Sequence, residues 1–462
     1  MVAWPRLSRL WGQASPSARY PGSTSTFRAD VMSRKDEMKH VSTDPPPIIP
    51  ARPGENRLWE WAREQFDLDP GYVHLALSML APHPRTVREA IAYHRTELDR
   101  NPALHFHQRD ERVRRVLATA GAYLGADPDS IALTESTTAG MAVVYTGMRL
   151  GPEDEILSTR HEHYAASELL RFKAKSSGAG HRCISLYEDG PTATSEEIVS
   201  SLVREIRDNT RLLALTWVHS GTGVKLPLSR IGEAVAEVNH GRPTDRQILI
   251  CVDAVHGFGV EDFTVEELRC DFFMAGCHKW LFGPRGTGVV WGSERGWNAV
   301  EPIMTSFDVE VFWPWYLGRT PDAEAPRARL CTPGGFPVFE HRWALAEAFD
   351  FQLTLGKKPV AMRIADLNAY CHRRLMETAG ITVRTPADRA LRSGMTCFDV
   401  EGRDPGEIAA MLEKRRIMAG QTPYRDSAVR FAPGILNSVA DIDRAVETLE
   451  QIVRAGPQEP PA

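Results

Sequence analysis

The sequence predicts an α/β fold in which a doubly wound, mostly parallel sheet is covered by helices on both faces. Short apolar runs alternate with helix-like segments from about residue 85 onward, and that alternation builds parallel sheets. Unusual polar residues recur just past the expected strands, where ligands of such sheets bind. At 462 residues the chain can bury a core large enough for two or three domains.

The elements follow in order. The apolar run at 130–134 reads as a strand and 137–150 as a helix. Further strands are expected at 154–158, 211–217, 247–252, 271–275 and 288–291, with helices between several of them, such as 195–207 and 228–238. The strand exits carry Thr137 and Thr138, His161 to His163, His219 and Ser220, Asp253 and His256, then His278 and Lys279. A sheet built only for stability has no need of such residues at one end, so one shared pocket is expected there.

The ends of the chain read differently. The first 29 residues hold Arg6, Arg9, Arg19 and Arg28 and no acidic residue, as a transit peptide would. The reading preferred is a disordered leader, or translated sequence preceding a start at Met32. Pro45, Pro46, Pro47, Pro50 and Pro53 make an extended linker, and 456–462 a disordered tail.

Composition excludes several classes. Net charge is −5, from 55 Lys+Arg against 60 Asp+Glu, which leaves no footprint for nucleic acid or an anionic membrane surface. No apolar run is long enough for a membrane helix. Seven scattered cysteines without a CxxC suggest neither a disulfide framework nor a zinc ribbon. A reducing cytoplasmic compartment and a small-molecule partner fit best.

The exits carry the chemistry. Lys279 lies between the apolar runs 272–275 and 280–282, and a desolvated lysine offers a neutral amine able to form a Schiff base. Alone it could equally cap a helix. Asp253 ends an apolar strand 26 residues earlier. Alone it would be a turn residue; with Lys279 it suits pyridoxal phosphate, whose ring nitrogen needs a carboxylate partner. Thr137 and Thr138 open a helix, a natural anion site, though plain N-capping uses the same residues. The segment 283–288 has the glycines of a phosphate loop without its lysine, and reads as tight turns. His105 with His107, and His161 with His163, have chelating spacing on a strand but no third ligand, so no metal is expected.

With Asp253-Ala254-Val255-His256 and Gly276-Cys277-His278-Lys279-Trp280 on the page, the chain resembles the fold-type I, class V aminotransferase family of pyridoxal phosphate enzymes, over roughly 56–454. The stretch 101–106 is most similar to isopenicillin N epimerase-like members. The resemblance implies a large domain at 56–335, a smaller α+β C-terminal domain at 336–454, a leader at 1–55 and a tail at 455–462. It implies that Lys279 carries the cofactor, that Asp253 partners its ring nitrogen, and that His163 stacks on the ring. Thr137, Thr138 and His278 would take the phosphate, while His256 and Ser220 would lie near the phenolic oxygen. Arg430, in Val429-Arg430-Phe431, would hold the substrate carboxylate. A homodimer is also implied.

Departures bear on the reaction. Cysteine desulfurases carry a nucleophilic Cys before that arginine, whereas 417–429 has none. Gly335 is followed by Phe336, not by the threonine with which relatives reach a partner's phosphate. The segment 74–81 departs from the usual pocket-lining strand, and the aromatic run 312–316 could wall the pocket, or serve as core or dimer interface. The expectation is an enzyme that removes the Cα proton of an α-amino acid, epimerase- or aminotransferase-like, in specialised metabolism. The alternatives are a β-eliminating C–S lyase on a cysteine S-conjugate, an oxygen-using decarboxylating deaminase, and a silent binding protein of the same fold.

Overall fold

The computed structural model describes residues 54, 57–320 and 325–455. The expected leader, proline-rich linker and tail at 456–462 lie outside the described residues. A two-residue strand, β1 (Val73–His74), precedes the main sheet. That sheet contains β2 (Ile131–Thr134), β3 (Glu155–Thr159), β4 (Gly180–Ile184), β5 (Thr210–Thr216), β6 (Leu249–Asp253), β7 (Phe272–Gly276) and β8 (Gly288–Gly292). Their order is β2-β8-β7-β6-β5-β3-β4.

Strands β3 to β7 run parallel to their neighbours among themselves. β8 runs antiparallel to both β7 and β2, so the sheet is mostly parallel, as the strand–helix alternation predicts, with one antiparallel strand. The cause is the connection. A parallel return needs a crossover of about a dozen or more residues, and the turns of 277–287, with Gly286 at φ 74°, offer no helix for one. The expectation of tight turns at 283–288 matches this segment.

Strands β2, β3, β6 and β7 are buried along their whole length. Leu133, Leu157, Leu213, Val252 and Phe273 feed one apolar cluster, and their neighbours Ala132, Ile156, Leu212, Cys251 and Phe272 feed another. Two covered faces explain why these strands read as unbroken apolar runs. The helix expected at 137–150 ends at Gly147, because Met148 leaves it to pair with Val300.

The smaller lobe holds β9 (Ile381–Val383), β10 (Thr396–Val400), β12 (Gly420–Gln421) and β13 (Val429–Phe431) in an antiparallel sheet ordered β12-β13-β10-β9. β11 (Ile417–Met418) pairs with β1. Val383, Phe398, Val429 and Phe431 form one core with Leu367 and Leu449, from the helices Lys357–Met376 and Val439–Arg454. This is the large sheet domain and smaller α+β C-terminal domain that the sequence predicts.

Two local expectations change. Pro102–His107 is a helix, so His105 is buried against His94 at 3.3 Å while His107 faces outward. Residues two apart lie on opposite sides of a helix, and the strand-like chelating pair disappears. The aromatic run 312–316 belongs to the helix Val309–Tyr316, and its Trp315 is 65% exposed, which excludes a core role for that ring.

Candidate active site

Paired strands β6 and β7 deliver the first two groups side by side. Asp253 is the last residue of β6, and Lys279 follows β7 by three positions. Lys279 Nζ lies 3.1 Å from His256 Nε2. Burial pulls the Lys279 ammonium down to about 8, Arg430 reinforcing this and Asp253 opposing it. Asp253 is 3% exposed. Burial pushes its carboxyl above the ordinary range, and the Val255 N–H, Lys279 and His163 pull it back. The Val255 N–H, donating to Oδ1 at 3.1 Å, is its one hydrogen bond among the described residues. His256 is held well below the usual imidazole value, chiefly by burial, and its Nδ1 is buried without a partner.

Three helix and strand ends complete the floor. His163 caps the helix Tyr164–Ser177, its Nδ1 accepting from the Ala165 N–H at 3.3 Å. The neutral ring therefore carries its proton on Nε2. Ser136, not either threonine, caps the helix Thr137–Gly147, accepting from the Ala139 N–H at 3.1 Å. That leaves the amides of Thr137 and Thr138 without intrahelical partners. The Thr137 hydroxyl accepts from the Gly276 N–H at 2.8 Å, while Thr138 is exposed. A Cβ on Gly276 would stand 3.0 Å from Thr137 Oγ1 and 3.1 Å from His278 Nδ1, so glycine keeps this cradle open.

The C-terminal domain adds Arg430 from β13. It is 5% exposed; its Nη1 donates to the Ser220 carbonyl at 3.1 Å, and its Nε is buried without a partner. No carboxylate forms an ion pair with Arg430 or Lys279 among the described residues. Buried ionisable groups are ordinarily paired. Here a carboxylate, an amine and a guanidinium share one pocket without pairing, beside a helix N-terminus. The set fits pyridoxal phosphate: Asp253 for a protonated ring nitrogen, Lys279 for the aldehyde, the Thr137–Thr138 amides for the phosphate. Arg430 is left without an anionic partner among the described residues.

The structure thus gathers every site residue picked from the sequence around one end of the large sheet. It also adds Tyr187 and Tyr424, which the sequence did not single out, and gives Glu162, His161 and His219, already placed at the strand exits, their partners. Glu162 is fully enclosed, accepting from Thr159 Oγ1 at 2.7 Å and Thr216 Oγ1 at 2.5 Å. Burial pushes its carboxyl up to about 7, and Asp253 adds to the shift. Tyr424 places its hydroxyl 2.7 Å from Ser220 Oγ. His161, Tyr187 and His219 stack, with His161 4.5 Å from Tyr187 and 4.7 Å from His219.

Fold and site together define a pyridoxal phosphate-dependent enzyme of fold type I acting on an amino-acid substrate. Residues 81–444 match the family described as aminotransferase class-V, and the chain belongs to that family. Isopenicillin N epimerase of Streptomyces clavuligerus is 27% identical over 414 residues, covering 85% of this chain and 98% of that protein. A probable cysteine desulfurase of Halalkalibacterium halodurans is 26% identical over 306 residues, covering 66% of this chain and 68% of that protein. The fold is shared with the cystine C–S lyase C-DES in complex with its product cysteine persulfide, at TM-score 0.72 and 18% identity, covering 82% of this chain and 98% of that one. Among the described residues no helix is long and apolar enough to cross a membrane.

Proposed function

We propose that this enzyme binds an α-amino acid by its carboxylate at Arg430 and removes its Cα proton with Lys279. The observation that carries this reading is the buried Arg430 guanidinium, which lacks an anionic partner among the described residues, in the pocket of a lysine pulled down to about 8. When bound, pyridoxal phosphate supplies the electron sink that stabilises charge at Cα. Thr137, Thr138 and His278 would hold its phosphate and Asp253 would partner its ring nitrogen. His163 would stack on the ring, while His256 and Ser220 would lie near its phenolic oxygen. Lys279, substantially neutral near pH 8, takes the proton as general base.

Two outcomes share that step. Epimerisation needs a competent acid to return the proton from the other face. Elimination needs one base and a leaving group that departs unaided, such as a thiolate. His163, His256 and His278 are all held below the usual imidazole range, chiefly by burial, which makes them weak bases. Lys279, pulled down to about 8, supplies the single base that elimination needs, and we infer β-elimination of a sulfur substituent as the leading outcome. Epimerisation is the second reading, supported by the 27% identity across 98% of the epimerase.

Mass spectrometry of amino acids and cysteine S-conjugates incubated with the enzyme in D₂O tests this. Pyruvate with loss of the β-substituent supports elimination. Deuterium at Cα with an intact skeleton and inverted configuration selects epimerisation. No exchange at all on any α-amino acid sinks both.

We further propose a cytoplasmic homodimer. Phe312, Trp313, Trp315 and Tyr316 pack ring against ring on one helix and are all exposed, Trp315 at 65%, and a monomer rarely leaves a large apolar patch uncovered. Light scattering should return twice 51.5 kDa at micromolar concentration; a monomer overturns this.

A further inference from the structure

We propose that Tyr424 is a specificity-determining residue: paired with Ser220, it supplies a second donor to the substrate α-carboxylate beside Arg430. This rests on the carboxylate reading of Arg430.

Tyr424 stands on the loop between β12 and β13. Thr422 closes the base of that loop: its N–H donates to the Ala428 carbonyl at 3.0 Å, its Oγ1 accepts from the Ala428 N–H at 2.8 Å, and its carbonyl accepts from Ser427 Oγ at 2.7 Å. The Tyr424 N–H also donates to the Thr422 carbonyl, at 3.0 Å. The loop is therefore a tied turn rather than a free one. Its Tyr424 ring lies over Gly221, where a Cβ would stand 3.1 Å from Cδ2 and 3.3 Å from Cε2. Glycine at 221 lets the ring approach, and the hydroxyl arrives at Ser220.

Two side chains of one hairpin thus converge on Ser220. Arg430 Nη1 takes its backbone carbonyl at 3.1 Å, and the Tyr424 hydroxyl meets its Oγ at 2.7 Å. Two hydroxyls hold two protons, and their mutual hydrogen bond uses one. Neither oxygen makes another hydrogen bond among the described residues, so one O–H remains to donate. Burial pushes the Tyr424 phenol up to about 12, which keeps that proton in place at neutral pH. An O–H donor beside a buried guanidinium without a carboxylate partner suits an anion with two acceptor atoms, one for each. A carboxylate has that form; the neutral amide of the same shape does not.

The test uses the holoenzyme with propionate, which has no amine to react, and with propionamide. Equilibrium titration should show propionate binding in clear preference to propionamide. Tyr424→Phe should weaken propionate about tenfold, the loss of one hydrogen bond to a charged group. Its cofactor spectrum, and the pH midpoint of that spectrum, should stay as in the parent enzyme. Arg430→Lys should weaken propionate further. Unchanged propionate binding in Tyr424→Phe, with weakening in Arg430→Lys, overturns the role of Tyr424 alone. Unchanged binding in both overturns the carboxylate reading as well. A moved spectral midpoint with unchanged propionate binding means that the free proton serves the cofactor ring, which also overturns the proposal. If Tyr424→Phe does not hold cofactor, Gly221→Ala, whose Cβ would stand 3.1 Å from Tyr424 Cδ2, pushes the ring away instead. It should weaken propionate a few-fold, and unchanged binding overturns the role of Tyr424.

Discussion

The two ends of the large sheet bury carboxylates in opposite ways. Asp271, just before β7, is 2% exposed and accepts four hydrogen bonds: Ser293 Oγ and Arg295 Nε on Oδ1, the Ile250 N–H and Arg295 Nη2 on Oδ2. Glu155, opening β3, accepts from Arg182, Arg207 and Thr210. At the other end Asp253 is as buried, at 3%, and has one backbone donor. The first end is complete within the chain. The second gives a carboxylate, an amine and a guanidinium one hydrogen-bond partner each and no ion pair among the described residues, and a buried charge left so is costly unless a ligand completes it. The lesson is that burial marks neither stability nor function; the count of partners separates them.

Lys279→Met should break the comparison most visibly. Turnover and the visible absorbance of the bound cofactor should both be lost. The apoprotein should nevertheless become more stable at pH 7. The folded value of about 8 lies below the ordinary 10.5. Below about pH 8 both states are protonated and the folded state bears the full desolvation cost. As pH rises from about 8 towards 10.5, the folded state sheds its proton first and stability recovers. Removing the amine should therefore gain up to roughly 3 kcal/mol at pH 7 and progressively less above pH 8. Urea unfolding of the apoproteins reads it; a destabilised variant at pH 7 would contradict the assignment.

The two aspartates sharpen it. Asp253→Asn should cost about 10²–10³-fold in kcat with little loss of stability, since the group lost stabilises charge in the reaction rather than the fold. Asp271→Asn should do the reverse, costing about 1–3 kcal/mol because it strips charge-assisted bonds from Arg295, while the enzyme retains kcat. Parallel kinetics and denaturation decide the matter, and equal effects on both measurements would erase the distinction.

What the sequence made legible follows the same division. Strands covered on both faces were located within a residue or two, because two apolar faces leave an unbroken run. β4 escaped, because it pairs with β3 alone at the sheet edge and three of its residues, Gly180, His181 and Cys183, are exposed. Lys279, Asp253 and Thr137 were legible because a polar residue closing an apolar run is a local signal. Tyr424 was not, since its meaning depends on Ser220, 204 residues away. The direction of β8 was hidden for a related reason. Strand direction is set by the length and shape of a connection, and apolar patterning is blind to it.

Glu162 gives the smallest and most instructive effect, because it is a buried carboxyl at the functional end that is well supplied with donors. Thr159, Thr216 Oγ1 and the Thr216 N–H all serve it. Burial still carries it from 4.5 to about 7, with Asp253 adding repulsion. A folded value above the unfolded one means that the fold prefers the proton. The contribution of this group to stability is full below about pH 4.5 and is lost as pH rises through about 7. Glu162→Gln keeps a neutral side chain of the same shape at every pH. The variant should match the parent near pH 5 and exceed it by about 1–3 kcal/mol at pH 8. Denaturation of the two apoproteins at both values checks this. A parent no less stable than the variant at pH 8 would show that Glu162 is ionised in the fold, and that Asp253 shares its end of the sheet with a second charge.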